Sequence, residues 1–430
     1  MMRDDLPQGF SLAEQVRMIR SPGGVEAWLF EDHAIPVVSL AFAFVGGAGL
    51  DPVGKAGTAR LLGGLLTQGA GDLSGKAFRA RMADHAIRLG FGIVRDRLVG
   101  QMFTLAKHRD EAFKLLAAAL QAPLFEPSEL EQRRALFRGQ LRAAQGSPDT
   151  LAGDVFWATA YRDHPYGRST AGTLDDVEAI AREDLIALQR VLVTRCRARI
   201  VVVGAISEAD AAAAIDAIFA PLPNGGAQPI AQPDFDGVGR TVMAHLDTPH
   251  ASIVFGRPAL SKDDPDYPAA AIVNHCLGGG TTSRLYRELR HMRGLCYSVQ
   301  TWTEHLRDAH LLVGMTSTAN AHVEELMGII QGEMQRMAAS GPGEDETRRA
   351  ARYLIGADAL GMETLSAIGQ FLLSLRVEGQ PIQSADRYRE RLAAVTTADT
   401  RRAAGRLLDD GGLLFSVVNG TTAEHPSAIS

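Results

Sequence analysis

The residues best suited to chemistry lie at 278–299, GGGTTSRLYRELRHMRGLCYSV. Gly278, Gly279 and Gly280 precede Thr281, Thr282 and Ser283, any of which suits a helix N-cap. A short amphipathic helix follows, with Leu285 and Leu289 on one face and Arg284 and Glu288 spaced as an i,i+4 pair. Gly294 suits the left-handed position that closes a helix. Residues 295–299 read as a strand. The joint therefore delivers two polar groups to one place, Arg290 from the last helical turn and Tyr297 from the strand. Taken alone, a capped helix on a sheet would look the same, with Arg290 solvated and Tyr297 half-buried. A glycine-rich helix start can also hold phosphate. That chemistry fits poorly here, because no Gly-Lys-Ser/Thr follows and GxGxxG is not matched.

Composition limits the classes of function. A chain of 430 residues exceeds one ordinary core, so two or more domains are expected. A formal net charge of −6 and the lack of any Lys/Arg run argue against a nucleic-acid partner. Three scattered cysteines, Cys196, Cys276 and Cys296, suggest neither a disulfide framework nor a cysteine metal site. No apolar run reaches membrane-spanning length. The start, MMRDDLPQGF, has no signal-peptide core. The chain as written therefore reads as cytoplasmic, or periplasmic if a leader was trimmed.

The elements that must position the site follow from pattern and punctuation. Strands are expected at 24–33, 36–47, 103–107 and 198–205, and helices at 57–68, 74–90, 108–122, 127–145, 150–161, 182–194 and 207–220. The stretch 220–234 holds four prolines and two glycines in fifteen residues and reads as a linker. Beyond it, strands at 241–246 and 251–256, helices at 265–277, 319–339, 344–374 and 384–407, and a last strand at 413–420 repeat the earlier order. The expected architecture is α+β with two homologous halves: a first domain at 1–220, a linker at 221–239 and a second domain at 240–430.

The block at 278–299 resembles the C-terminal half of pitrilysin-type, or inverzincin, zinc peptidases of the processing-peptidase-like branch. The shared features are the glycine-rich loop, the Arg-bearing helix and Arg-x6-Tyr, which falls on Arg290 and Tyr297. HPYGR at 164–168 and Gly172-Thr173 are similar to that family's first half. The resemblance covers nearly the whole chain. It implies two α+β domains, each a mainly antiparallel sheet packed by helices, facing one another as a clamshell. It also implies peptide binding, with Gly278, Gly279 and Gly280 at the substrate.

Active members carry His-x-x-Glu-His on a helix and a distant Glu as third ligand. The lead-in Asp51-Pro52 and Gly54-Lys55-x-Gly57 sets the register, which puts Arg60, Gly63 and Gly64 at the motif positions. The third-ligand position falls on Gln140, 76 residues beyond Gly64. Arginine offers no lone pair, glycine has no side chain, and glutamine lacks the charge that helps hold a divalent ion. The twelve histidines offer no replacement: His245 and His250, like His305 and His310, are five apart, not the four that aligns ligands on a helix.

The resemblance thus implies a non-catalytic subunit of a heterodimeric peptidase, with no cofactor of its own and zinc in a homologous partner. Tyr297 would donate to the oxyanion and Arg290 would hold a peptide carbonyl, both in trans. A structural scaffold of the same fold, with no catalytic part, is the alternative. No Ser/His/Asp or Cys/His constellation supports a self-sufficient enzyme of another class.

Overall fold

The computed structural model describes residues 11–226 and 232–420. Residues 1–10, which carry the compartment reading, and 227–231, within the expected linker, lie outside the described residues.

The first sheet uses β1 (Val16–Arg20), β2 (Glu26–Glu31) and β3 (Val37–Val45). A two-stranded ribbon, β4 (Gly69–Ala70) and β5 (Leu73–Ser74), stands apart from it. β6 (Arg88–Ile93), β7 (Arg97–Leu105) and β8 (Ala198–Gly204) complete the sheet in the order β1-β2-β8-β3-β7-β6. Only β2 and β8 run parallel there. The second sheet uses β9 (Thr241–His245), β10 (His250–Pro258), β11 (Cys296–His305), β12 (His310–Ala319) and β13 (Leu414–Asn419). Its order is β11-β12-β10-β13-β9, and only β13 and β9 run parallel.

With β1 set aside, the two sheets match strand for strand and sense for sense. The match reaches single residues. Phe42 of β3 lies opposite Gly100 of β7, and Phe255 of β10 lies opposite Gly314 of β12. A Cβ on Gly100 would sit 2.1 Å from Phe42 Cζ, and one on Gly314 2.2 Å from Phe255 Cζ. Each glycine makes room for an aromatic ring that lies across its backbone. The chain is α+β with two homologous domains.

The described residues fall into two compact units: 11–141, 168–226 and 356–389 form one, and 142–167, 232–355 and 390–420 the other. Each sheet lies within one of the halves expected at 1–220 and 240–430, but each unit also takes in a segment from the opposite half. In the first unit β3 is buried on both faces. Leu40, Phe42 and Phe44 join the core that includes Leu61, Leu62 and Phe219 on the helices Thr58–Leu65 and Glu208–Phe219. Ala41 and Ala43 face the other way, with Val201 and Val203 of β8, onto Ile368, Leu372 and Leu373 of the helix Leu365–Val377. Small side chains on that face let the helix come close: a Cβ on Gly369 would meet Val203 Cγ2 at 3.4 Å. In the second unit the helix Pro148–Ala160 plays the same part, placing Ala152, Phe156 and Ala160 against Val254, Leu414 and Val418. Ser416 Oγ also donates to Ala152 O at 2.8 Å.

Several elements differ from the pattern reading. Residues 74–90 are a helix only over Gly75–Asp84, after which the chain enters edge strand β6. RLGFGI hid that strand, since two glycines lower strand preference. β1 and β12 were not foreseen. The long helices expected at 344–374 and 384–407 are each two. Thr364 and Thr396 cap the second member of each pair by accepting from Ala367 N (3.1 Å) and Asp399 N (3.2 Å).

Candidate functional site

Ser283 is the hydroxyl that caps, accepting from Tyr286 N at 3.4 Å. Leu285 and Leu289 are fully buried, as their spacing requires. After Arg284–Tyr286 the chain winds as a π-helical turn over Arg287–Met292, the kind of local widening often found at functional sites. Gly294, at φ +65°, closes it: its N–H reaches Arg290 O at 3.2 Å and Leu295 N reaches Leu289 O at 2.8 Å. The expected Arg284–Glu288 pair does not form. Arg284 instead makes a forked bond to Glu346 (Nη2–Oε2 2.6 Å, Nε–Oε1 3.0 Å), a carboxylate already oriented by Gly343 N.

The joint does bring Arg290 and Tyr297 together. Arg290 Cζ lies 5.0 Å from the Tyr297 ring centre, and its Nη1 donates to Cys296 O at 3.4 Å. Pairing between β11 and β12 slips between Cys296 and Val299, so Tyr297 and Ser298 sit in a bulge. The bulge turns Tyr297 outward, leaving it 78% exposed. Both side chains line a cleft of about 360 Å³ with Gly278, Gly279, Gly280 and Tyr286.

The three glycines are not equivalent. A Cβ on Gly278 would lie 2.4 Å from Thr301 Oγ1, and one on Gly279 2.6 Å from His275 Cα, whereas Gly280 has nothing nearer than 4.0 Å. Thr301 is itself fixed by a 2.7 Å bond to Asn274 Oδ1. Gly278→Ala is therefore expected to destabilise the second unit by about 1–3 kcal/mol. Gly280→Ala should leave denaturant midpoints unchanged, and equal effects from the two would refute this division.

Arg60, Gly63 and Gly64 occupy the helix Thr58–Leu65, and Gln140 lies on Pro127–Gln145. The structure joins the two helices: Arg60 Nη2 donates to Gln140 Oε1 at 2.9 Å, and the Arg60 guanidinium lies over Phe137 at 4.7 Å. Arg133 Nη2 donates to Gly64 O at 2.6 Å. A Cβ on Gly64 would meet Arg133 Nε at 3.0 Å, while Gly63 has ordinary contact room beside Ile93. Two guanidinium groups beside a backbone glycine do not fit a divalent cation. Among the described residues no group of three or more His, Cys, Asp or Glu is placed to hold one.

Asp51 of the lead-in anchors the start of that helix, accepting from Gly57 N and Ala59 N at 2.7 Å each. Burial pushes its carboxyl up to about 6, against the pull of those two backbone bonds. The unfolded chain keeps the ordinary value of 3.8, so between 3.8 and about 6 the folded state binds the extra proton. Stability should therefore fall as pH rises through that window. Asp51→Asn is expected to flatten the slope, and an unchanged pH profile of unfolding would remove Asp51 as its source.

One histidine pair meets in a way that spacing alone does not show. The five-residue interval is wrong for a helix but right for a hairpin, where His305 and His310 are register partners with Nδ1 atoms 3.1 Å apart. Burial pulls His305 down to about 3, so it stays neutral. Sequence reasoning also missed Arg133, Phe137 and a cleft of about 970 Å³ along edge strand β6, lined by Phe91, Gly92 and Gln370.

Two matching α+β domains, with an Arg–Tyr pair at a cleft in the second, define the class of fold. The chain belongs to peptidase family M16. The profile described as insulinase (peptidase family M16) matches residues 28–174, and that described as peptidase M16 inactive domain matches 179–354. An uncharacterized zinc protease of Streptomyces coelicolor is 26% identical over 304 residues, 69% of this chain and 66% of that protein. A non-peptidase homolog of Helicobacter pylori is 25% identical over 78% of each chain. A peptidase M16 inactive domain from Pseudomonas fluorescens superposes with TM-score 0.89 at 22% identity, covering 96% of this chain and 99% of that one. A chain of complex III2 from Candida albicans superposes with TM-score 0.80 at 18% identity, covering 94% and 96%. The relatives bear both zinc-protease and non-peptidase names. The second half of the chain matches the family profile whose description is an inactive domain. No helix among the described residues is long and apolar enough to cross a membrane.

Proposed function

We propose that this chain is the non-catalytic subunit of a heterodimeric zinc peptidase and lends Arg290 and Tyr297 to the metal site of a homologous partner. One observation carries the reading. The Arg–Tyr pair is built and presented, in a bulge, at a cleft, with Tyr297 78% exposed, on a chain whose own motif helix holds arginine and glycine. The phenol is suited to donate a hydrogen bond to the oxygen that gains charge as water attacks a peptide carbonyl. The Arg290 guanidinium is suited to hold a neighbouring backbone carbonyl and fix the peptide's register. The partner supplies zinc, which would activate the attacking water.

Alone, the purified chain is expected to hold no stoichiometric zinc and to cleave no peptide. Mixed with a homologous chain bearing His-x-x-Glu-His, it should form a complex that turns peptide over. One tightly held zinc per chain, with activity that a chelator abolishes, would overturn the reading. A complex whose turnover ignores Arg290 and Tyr297 would favour the scaffold role.

A further inference from the structure

The helix Thr58–Leu65 carries one cation, Arg60, and a second, Arg133, reaches it from the helix Pro127–Gln145. Arg60 and Gly64 are one turn apart on the same helix face. The Arg133 guanidinium, from the helix Pro127–Gln145, lies over Gly64, one helical turn along from Arg60. Glycine at 64 admits Arg133, because a Cβ there would stand 3.3 Å from its Cζ. Two other arginines on the helix Pro127–Gln145 have acidic partners, Arg134 with Glu131 at 3.1 Å and Arg138 with Glu178 at 3.0 Å, while the exposed Arg142 has none among the described residues. Among the described residues neither Arg60 nor Arg133 has one; their bonds go to Gln140 Oε1 and Gly64 O. Each guanidinium keeps further N–H donors for a ligand. Arg60 is also partly buried, and desolvation with no acid beside it pulls its guanidinium below the usual range. A half-buried cation without a counter-ion gains from an anion that donors already in place can bind.

We propose that Arg60 and Arg133 form a carboxylate-binding site, which replaces the lost metal site and takes an acidic side chain or the C-terminal carboxylate of a bound peptide. The inference rests on the peptide-binding part of the proposed function and adds a ligand preference to it. It does not depend on the partner, on zinc or on Arg290 and Tyr297. The formal charge of −6 means that the whole-chain field repels acidic peptides, so a preference for them must come from a local site.

The test is fluorescence anisotropy on the full chain with two labelled peptides of one extended sequence. One carries glutamates and a free C-terminus; the other carries glutamines and a C-terminal amide. The acidic peptide is expected to bind about 10- to 100-fold tighter, with the difference shrinking as salt rises. Arg60→Gln and Arg133→Gln should each remove most of that difference and leave the amide peptide unchanged. Arg133→Gln decides the matter if loss of the Arg60–Gln140 bond prevents folding. Equal binding of the two peptides, binding of neither, or an acid preference that survives Arg133→Gln would overturn the proposal. Displacement by inorganic phosphate at concentrations where acetate has no effect would reassign the site to phosphoryl groups and overturn the carboxylate class. Turnover by the mixed complex is not read, so failure here and failure of the trans-acting pair are separate results.

Discussion

Tyr297→Phe is expected to leave the complex with a zinc-bearing partner intact and to lower its kcat by about 10²-fold, the usual cost of losing one oxyanion donor. Folding gives no reason for a change in assembly. The Tyr297 ring is 78% exposed, and its hydroxyl has no hydrogen-bond partner among the described residues. The ring keeps its contact with Arg290 when the oxygen is removed. A loss confined to kcat would mark an interaction made as charge develops, whereas a change in KM alone would mark ground-state binding. Arg290→Ala should raise KM as well, because it removes a group expected to position the peptide. If both variants assemble and turn peptide over at the wild-type rate, the pair is structural and the scaffold reading takes over.

Phe42→Ala is expected to destabilise the first unit by about 3–5 kcal/mol. The ring is fully buried, meets Phe44, Phe91 and Phe219 at centroid distances of 5.9, 5.9 and 5.7 Å, and covers Gly100. Gly100→Ala should cost about 1–3 kcal/mol for the opposite reason, since its methyl would sit 2.1 Å from Phe42 Cζ. The two effects are coupled. In the Phe42→Ala background the added methyl enters vacated space, so its cost should nearly vanish. Phe255 and Gly314 repeat the arrangement and predict the same cycle in the second unit. Denaturant unfolding of the wild type and the three variants in each cycle measures the coupling, and simple additivity would show that ring and glycine are not one device.

Much of the fold was legible because its signals are local. The buried strand ARIVVVGA, the cap at Gly294 and the repeated order of strands and helices all follow from residues near one another in the chain. β6 was not legible, because its strand character comes from pairing with β7 and not from RLGFGI itself. The contact between His305 and His310 was not legible, because a spacing of five has meaning only once helix or hairpin is known.

The sequence alone determined the donor chemistry at four positions: Arg60, Gly63, Gly64 and Gln140 offer fewer electron-pair donors than histidine and glutamate would. It also placed Arg290 and Tyr297 on one helix–strand joint, since seven positions and a terminating glycine suffice to bring them near each other. Only the tertiary structure decided what surrounds these positions. The Arg60–Gln140 bond spans 80 positions, and Arg133 reaches Gly64 across 69. Such contacts depend on how two helices pack, which no local pattern specifies. The exposure of Tyr297 was decided in the same way, by a register slip between β11 and β12 that exists only when both strands are in place.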